Sequence, residues 1–168
     1  MTQIIYRTGN LLEAEERHIL HGCNARGSMG AGIALAIRQR WPKAFAQYRR
    51  QFEEAGLALG TVQVVDCGDK VVLNAITQVD YSARRAGPVL ARYDAIRAVM
   101  RQVNLLAWLT ATVPEAAAVL GRLQRIGMPL LGAGLARGRW SAIAPLIEEE
   151  ARDFQPVVYL LDGMVPED

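Results

Sequence analysis

Apolar positions along the chain follow two different periods. At 3–7, 17–22, 61–66, 70–77, 126–131 and 156–161 they come in short runs bounded by turn residues, the pattern of buried strands. At 31–40 the spacing changes: Ile33, Ile37 and the following Trp41 lie four apart, which predicts a helix with one buried face. A long helix is predicted at 91–110, with Ile96, Met100, Val103 and Ala107 on one side. Further helices are expected at 42–55, 114–124 and 140–152, Pro42 being tolerated in a first helical turn. Cys67-Gly68-Asp69 joins two strands into a hairpin, Thr8-Gly9-Asn10 turns the chain after the first strand, and 78–88 reads as a polar loop. Strands alternate with helices and the inner strands are apolar throughout. This predicts an α/β fold whose sheet is covered on both faces.

A chain of 168 residues is most simply one domain, 1–168, and 51% hydrophobic content supplies a sizeable core. No apolar run reaches 18 residues, so no membrane span is expected. The start, Met-Thr-Gln-Ile-Ile-Tyr-Arg, does not read as a secretory signal, and the expected location is the cytoplasm. Cys23 and Cys67 have no metal-ligand spacing with His18 and His21. They read as reduced thiols, with reactivity left open for Cys23, and neither a metal nor a cofactor is expected. The net charge of +2 gives no case for a nucleic-acid partner. Of the 19 basic residues only Lys43 and Lys70 are lysines, which leaves few candidates for a catalytic lysine.

The most distinctive stretch is 20–34, where a strand leads into a loop with Gly22, Gly27, Gly30 and Gly32 and then into a helix. That layout suits an anion, because glycine lets the backbone approach closely and the first N–H groups of a helix lack internal partners. Glycine used for turn geometry alone is the plainer alternative. A second cluster, Gly132-Ala133-Gly134 through Gly138, also lies between an apolar run and a helix. Two such loops can grip one diphosphate from opposite sides. Neither is a known nucleotide fingerprint: no Walker loop is present, and G-x-G-x-x-G counted from Gly30 would need glycine where Leu35 stands. Both loops are expected at the carboxyl ends of the strands.

His21-Gly22-Cys23-Asn24, Gly27 and Met29-Gly30-Ala31-Gly32-Ile33-Ala34 together resemble the first ligand loop of macro domains. Pro129-Leu130-Leu131-Gly132-Ala133-Gly134-Leu135, followed by Trp140, resembles their second. Gly9-Asn10-Leu11 is similar to the adenine-side motif, which more often reads Gly-Asp-Leu or Gly-Asp-Ile. Order and spacing match over nearly the whole chain. The likeness is greatest to the branch holding the yeast-type and phage-type ADP-ribose 1''-phosphate phosphatases and the terminal ADP-ribose glycohydrolases. The resemblance implies a three-layer α/β/α sandwich with a mixed central sheet and ADP-ribose in a cleft. By position it implies Asn10 and Leu11 at the adenine, Asn10 accepting through its amide oxygen without charge. Met29, Gly30, Ala31, Gly32 and Ile33 would face the diphosphate and distal ribose. Leu131, Gly132, Ala133, Gly134, Leu135 and Ala136 would close over the diphosphate, and Asn24 would sit beside the distal ribose. Tyr159 is either core or part of the adenine wall.

The terminal glycohydrolases combine a lysine after the central strand with an aspartate in the second loop. The matching positions here hold Gln78 and Ala136, so a lysine-based mechanism is not expected. Thr77-Gln78 and His21 instead match the phosphatase branch. The implied activity is hydrolysis of the terminal phosphate of ADP-ribose 1''-phosphate. Water or Asp80 would attack phosphorus, His21 would handle the proton, Asn24 would orient the distal ribose, and backbone N–H groups would stabilise the oxygens. A core histidine and a solvated loop aspartate are the plainer readings of His21 and Asp80. Two other functions stay open. One is a non-catalytic reader of ADP-ribose, free or on an ADP-ribosylated protein, or of a related nucleotide signal. The other is a glycohydrolase working by substrate-assisted attack of water.

Overall fold

The structure, a computed structural model, describes residues 1–82 and 91–166. The elements run β1 (Ile5–Thr8), a 3₁₀ turn (Leu11–Glu13), β2 (His18–Asn24), α1 (Gly32–Arg40), α2 (Pro42–Ala55), β3 (Val62–Asp66), β4 (Val71–Gln78), α3 (Tyr93–Thr112), α4 (Pro114–Leu120), β5 (Arg125–Met128), α5 (Trp140–Glu150) and β6 (Gln155–Leu160). All six strands join one sheet in the order β1-β6-β5-β2-β4-β3. Five are parallel, and β3 runs antiparallel to β4 at the edge, which makes the sheet mixed. Helices cover both faces, so the three-layer sandwich holds.

Strand alternation decides which residue meets which layer. Leu20 of β2 and Val71, Leu73 and Ala75 of β4 pack with Ile96, Met100, Ile143 and Ile147 of α3 and α5. The opposite face carries Ile19 and Val72 against Ile37, Trp41 and Ala44, and Cys23 and Ile76 against Tyr48 of α2. His21 and Asn74 share that second face and are direct register partners in β2 and β4. The inner strands are therefore not apolar throughout. Both polar side chains are fully buried, which is possible because they satisfy each other.

Element boundaries differ from expectation for local reasons. The run at 114–124 stops being helical at Leu120, because Gly121 takes φ +70 and caps it. The strand expected at 126–131 ends at Met128, before Pro129, which has no N–H to give to a ladder. β2 runs two residues past its expected end, to Asn24. The turn after β1 continues into a 3₁₀ turn that periodicity did not mark. The hairpin and the helix at 42–55 stand where they were predicted. Of the loop at 78–88, residues 83–88 lie outside the described residues.

Candidate functional site

The five parallel strands end on one edge of the sheet, and the segments just beyond those ends line a cleft of roughly 680 Å³. Gly9, Asn10 and Leu11 come after β1, and Leu161 and Asp162 after β6. Pro129 to Gly132 and Gly134 to Ala136 come after β5, while Ser28 and Gly30 to Ala34 come after β2. Gln78 closes β4, and Tyr81 stands just beyond it. With strands ~4.8 Å apart, five ends in a row span ~19 Å. The carboxyl end of such a sheet is where an extended ligand finds open backbone.

Backbone forms the middle of the cleft. Ala31 is the N-cap of α1 and no side chain caps this end, so the first-turn N–H groups remain for an anion. Gly32 has φ +55, and a Cβ there would lie 2.9 Å from Leu135 Cδ1. The two glycine loops thus meet across the cleft, with Leu135 69% exposed above it. Gly132 has φ +74, and a Cβ there would crowd Ile96 Cδ1 and Ala91 Cβ at 3.0 and 3.2 Å. Glycine lets the second loop bed directly on α3 and the residues before it.

At the β1–β6 end, Asn10 Oδ1 accepts from the Leu12 N–H at 3.0 Å and so caps the 3₁₀ turn. Tyr159 forms part of the wall while its hydroxyl donates to Glu16 Oε2 at 2.6 Å. Burial first, then that bond to a carboxylate, raises the phenol above its ordinary pKa. Tyr159 therefore serves both core and cleft. At the β4 end, Asn24 lines the cleft but is engaged in its own turn. Its Oδ1 accepts from the N–H groups of Arg26 and Ser28 at 3.0 and 3.3 Å, and its Nδ2 donates to the Ser28 carbonyl at 2.7 Å.

Several predicted site residues lie elsewhere. His21 is 0% exposed and absent from the cleft wall. Its Nε2 meets Asn74 Oδ1 at 2.7 Å. Asn74 Nδ2 donates to Ala44 O and Gln63 Oε1, so Oδ1 is the acceptor and Nε2 carries the hydrogen. Burial pushes the His21 pKa down to about 4, and the Asn74 bond opposes this only in part. A neutral, sealed imidazole cannot shuttle a proton in the cleft. Asp80 is neither solvated nor in the cleft wall: it is 1% exposed, its Oδ2 faces Arg26 Nε at 3.3 Å, and its Oδ1 accepts from the N–H groups of Tyr81 and Ser82. Met29 is turned under the first loop against Cys23, Tyr48 and Ile76, and Ala133 packs toward the core.

Asn10, Leu11, Asn24, Gly30, Ala31, Gly32, Ile33, Leu131, Gly132, Gly134, Leu135, Ala136 and Tyr159 do line the cleft. Sequence reasoning missed Ser28, Gln78, Tyr81, Leu161 and Asp162 as wall residues. Each stands at or just after the end of a parallel strand, and that rule would have found them. Cys23 reaches the wall, but burial raises its thiol pKa, so it stays protonated. Among the described wall residues Asp162 is the one carboxylate, and no Lys, Arg, His or Glu appears. Among the described residues no cluster of His, Cys, Asp or Glu could hold a metal.

Residues 20–147 match the family model for the Macro domain. The chain belongs to the macro domain family. It is similar to the DNA ADP-ribosyl glycohydrolase of Mycobacterium tuberculosis, with 32% identity over 110 residues, covering 61% of this chain and 30% of that protein. It is also similar to the ADP-ribose 1''-phosphate phosphatase of Saccharomyces cerevisiae, with 40% identity over 58 residues, 33% of each. The chain thus matches about a third of the length of these two relatives. A macrodomain protein structure from Streptomyces coelicolor superposes with a TM-score of 0.68 at 29% identity, covering 94% of this chain and 99% of that one.

Proposed function

We propose that the protein binds ADP-ribose along this cleft and hydrolyses the terminal phosphate of ADP-ribose 1''-phosphate. The observation that carries the reading is a cleft crossing five strand ends, with two backbone loops meeting at its middle. Adenine would lie at the β1–β6 end, by Asn10, Leu11 and Tyr159. The diphosphate would lie between 30–33 and the second glycine loop, and the distal ribose by Asn24, Ser28 and Gln78. The names of the relatives support the class of substrate, since both act on an ADP-ribosyl group or its phosphate.

In the reaction, water attacks phosphorus, the bond from phosphorus to the distal-ribose oxygen breaks, and that oxygen takes the proton water gives up. The products are ADP-ribose and inorganic phosphate. With His21 and Asp80 outside the cleft wall, the protein's contribution is orientation and backbone N–H donors, and a phosphate oxygen can relay the proton. A second reading, binding without turnover, is favoured by the near absence of charged side chains among the described wall residues.

Purified protein incubated with ADP-ribose 1''-phosphate, with ADP-ribosylated protein and with ADP-ribosylated DNA separates these. Phosphate release from the first supports the proposal. ADP-ribose release from either of the others assigns a glycohydrolase, and binding with no product assigns a reader. Absence of calorimetric heat with millimolar ADP-ribose would overturn the ligand itself.

A further inference from the structure

We infer that Tyr48, on α2 and outside the cleft, is a positioning residue that sets the distal-ribose end of the site through Asn24. The inference rests on the ADP-ribose reading above. Tyr48 is 0% exposed, and its hydroxyl reaches two acceptors on one residue: the Asn24 carbonyl at 2.5 Å and Asn24 Oδ1 at 3.0 Å. The β2–β4 register slips between Cys23 and Asn24, so that Asn24 pairs with Gln78 and Thr77 is skipped. At such a bulge the ladder no longer satisfies every group, and an outside donor to the Asn24 carbonyl takes over.

Asn24 is also the pin of the turn at 24–28. Its Oδ1 holds the Arg26 and Ser28 N–H groups, and its Nδ2 holds the Ser28 carbonyl. Ser28 then opens onto the cleft. Phe52, one helical turn beyond Tyr48, lies beneath Gly27, where a Cβ would come within 2.7 Å of its ring. One face of α2 therefore supports the turn at two points, by a hydroxyl at 24 and by an apolar ring at 27. Burial raises the Tyr48 phenol above its ordinary pKa and keeps it a donor.

This support reaches only the β4 end. The second glycine loop and the Asn10 end are built by other elements, and Met29 beneath the first loop packs in the same cluster as the Tyr48 ring, which a Phe at 48 keeps, so removing the hydroxyl acts on the distal ribose and not on the adenosine diphosphate. The test is Tyr48→Phe, titrated calorimetrically with ADP-ribose and with ADP beside the wild type. Loss of one buried hydrogen bond predicts ADP-ribose weakened about five- to tenfold, with ADP unchanged within about twofold. Val103→Ala, in the core under α3 and away from the cleft wall, keeps the hydroxyl and the turn, and its ratio of ADP to ADP-ribose affinity should stay at the wild-type value even as its melting temperature falls. If Tyr48→Phe leaves that ratio unchanged, or if both variants change it alike, the inference is overturned while the ADP-ribose reading stands. If the wild type does not bind ADP-ribose, both fall. If Tyr48→Phe fails to fold, amide hydrogen exchange in the wild type decides: slow exchange at Arg26 and Ser28 supports the pinned turn, and exchange at the rate of an open loop overturns it.

Discussion

Acidification should destabilise this protein through His21. The ring is fully buried, and burial lowers its pKa from 6.5 to about 4. The folded state therefore binds fewer protons than the unfolded chain between those values. Stability is fully present above the unfolded pKa and is lost as pH falls toward the folded one. Linkage over that window gives a loss of about 2 kcal/mol between pH 7 and pH 5, reaching about 3 kcal/mol at pH 4. For a chain of this size, the first step lowers the melting temperature by about 4–8 °C. His18 is also lowered by burial and adds a loss of the same sign, so a comparison is needed to isolate His21. His21→Gln supplies it, because the amide N–H can still donate to Asn74 Oδ1 while nothing titrates. The assay is urea unfolding followed by tryptophan fluorescence at pH 7 and pH 5. The wild type should lose about 2 kcal/mol more than His21→Gln over that interval. Equal losses in the two proteins would refute the linkage and show that the imidazole meets protons as readily in the folded state.

Two further substitutions test the placement of the site. Gly32→Glu forces a side chain onto a left-handed backbone 2.9 Å from Leu135, which costs ~1–2 kcal/mol, and sets a carboxylate where the diphosphate would lie. Calorimetry should show ADP-ribose affinity lowered at least 100-fold in a folded protein, and wild-type affinity would remove the diphosphate from this loop. Asp80→Asn keeps an acceptor for the Tyr81 and Ser82 N–H groups but uncouples Arg26. It should lower stability by about 1–3 kcal/mol and leave any phosphate release within about threefold of the wild type, whereas a hundredfold loss of turnover in a folded variant would restore Asp80 as the nucleophile.

What could be read from the sequence was what local periodicity and spacing encode. The four-residue spacing of Ile33, Ile37 and Trp41 identified α1, the turn residues at 67–69 identified the hairpin, and the glycine clusters marked two loops that do meet across a cleft. What local pattern does not encode is the direction of single side chains. Met29 and Ala133 sit inside the right loops but turn away from the cleft, because each fills a space set by a distant element, Tyr48 for one and the α3–α5 core for the other. Asp80 looked solvated because it falls in a stretch that reads as a polar loop, yet it is buried and its Oδ2 is met by Arg26, 54 positions earlier. Tyr81 and Asp162 were missed because no local motif marks them; only the order of parallel strands places them on the cleft edge.

His21 shows most clearly why register matters more than residue type here. A histidine beside a ligand loop invites an acid–base role, and nothing in 20–24 says which face of β2 it takes. The answer lies in β4, where Asn74 is its direct partner on the α1–α2 face. Asn74 in turn donates to Gln63, and Gln63 Nε2 donates to Gln47 O and Gln51 Oε1 on α2. The chain of amides thus ties β2, β4, β3 and α2 together by hydrogen bonds that an apolar core could not supply, and each member is costly to remove singly because its neighbour is left buried without a partner. Tyr48 belongs to the same helix and points at the same strand. The α1–α2 layer thus carries a buried hydrogen-bonded thread through otherwise apolar packing, while the middle of the cleft is made by the two glycine loops. On this arrangement, polar-to-apolar changes at 21, 48 and 74 alter stability or loop shape first, and reach the ligand only through the backbone they hold in place.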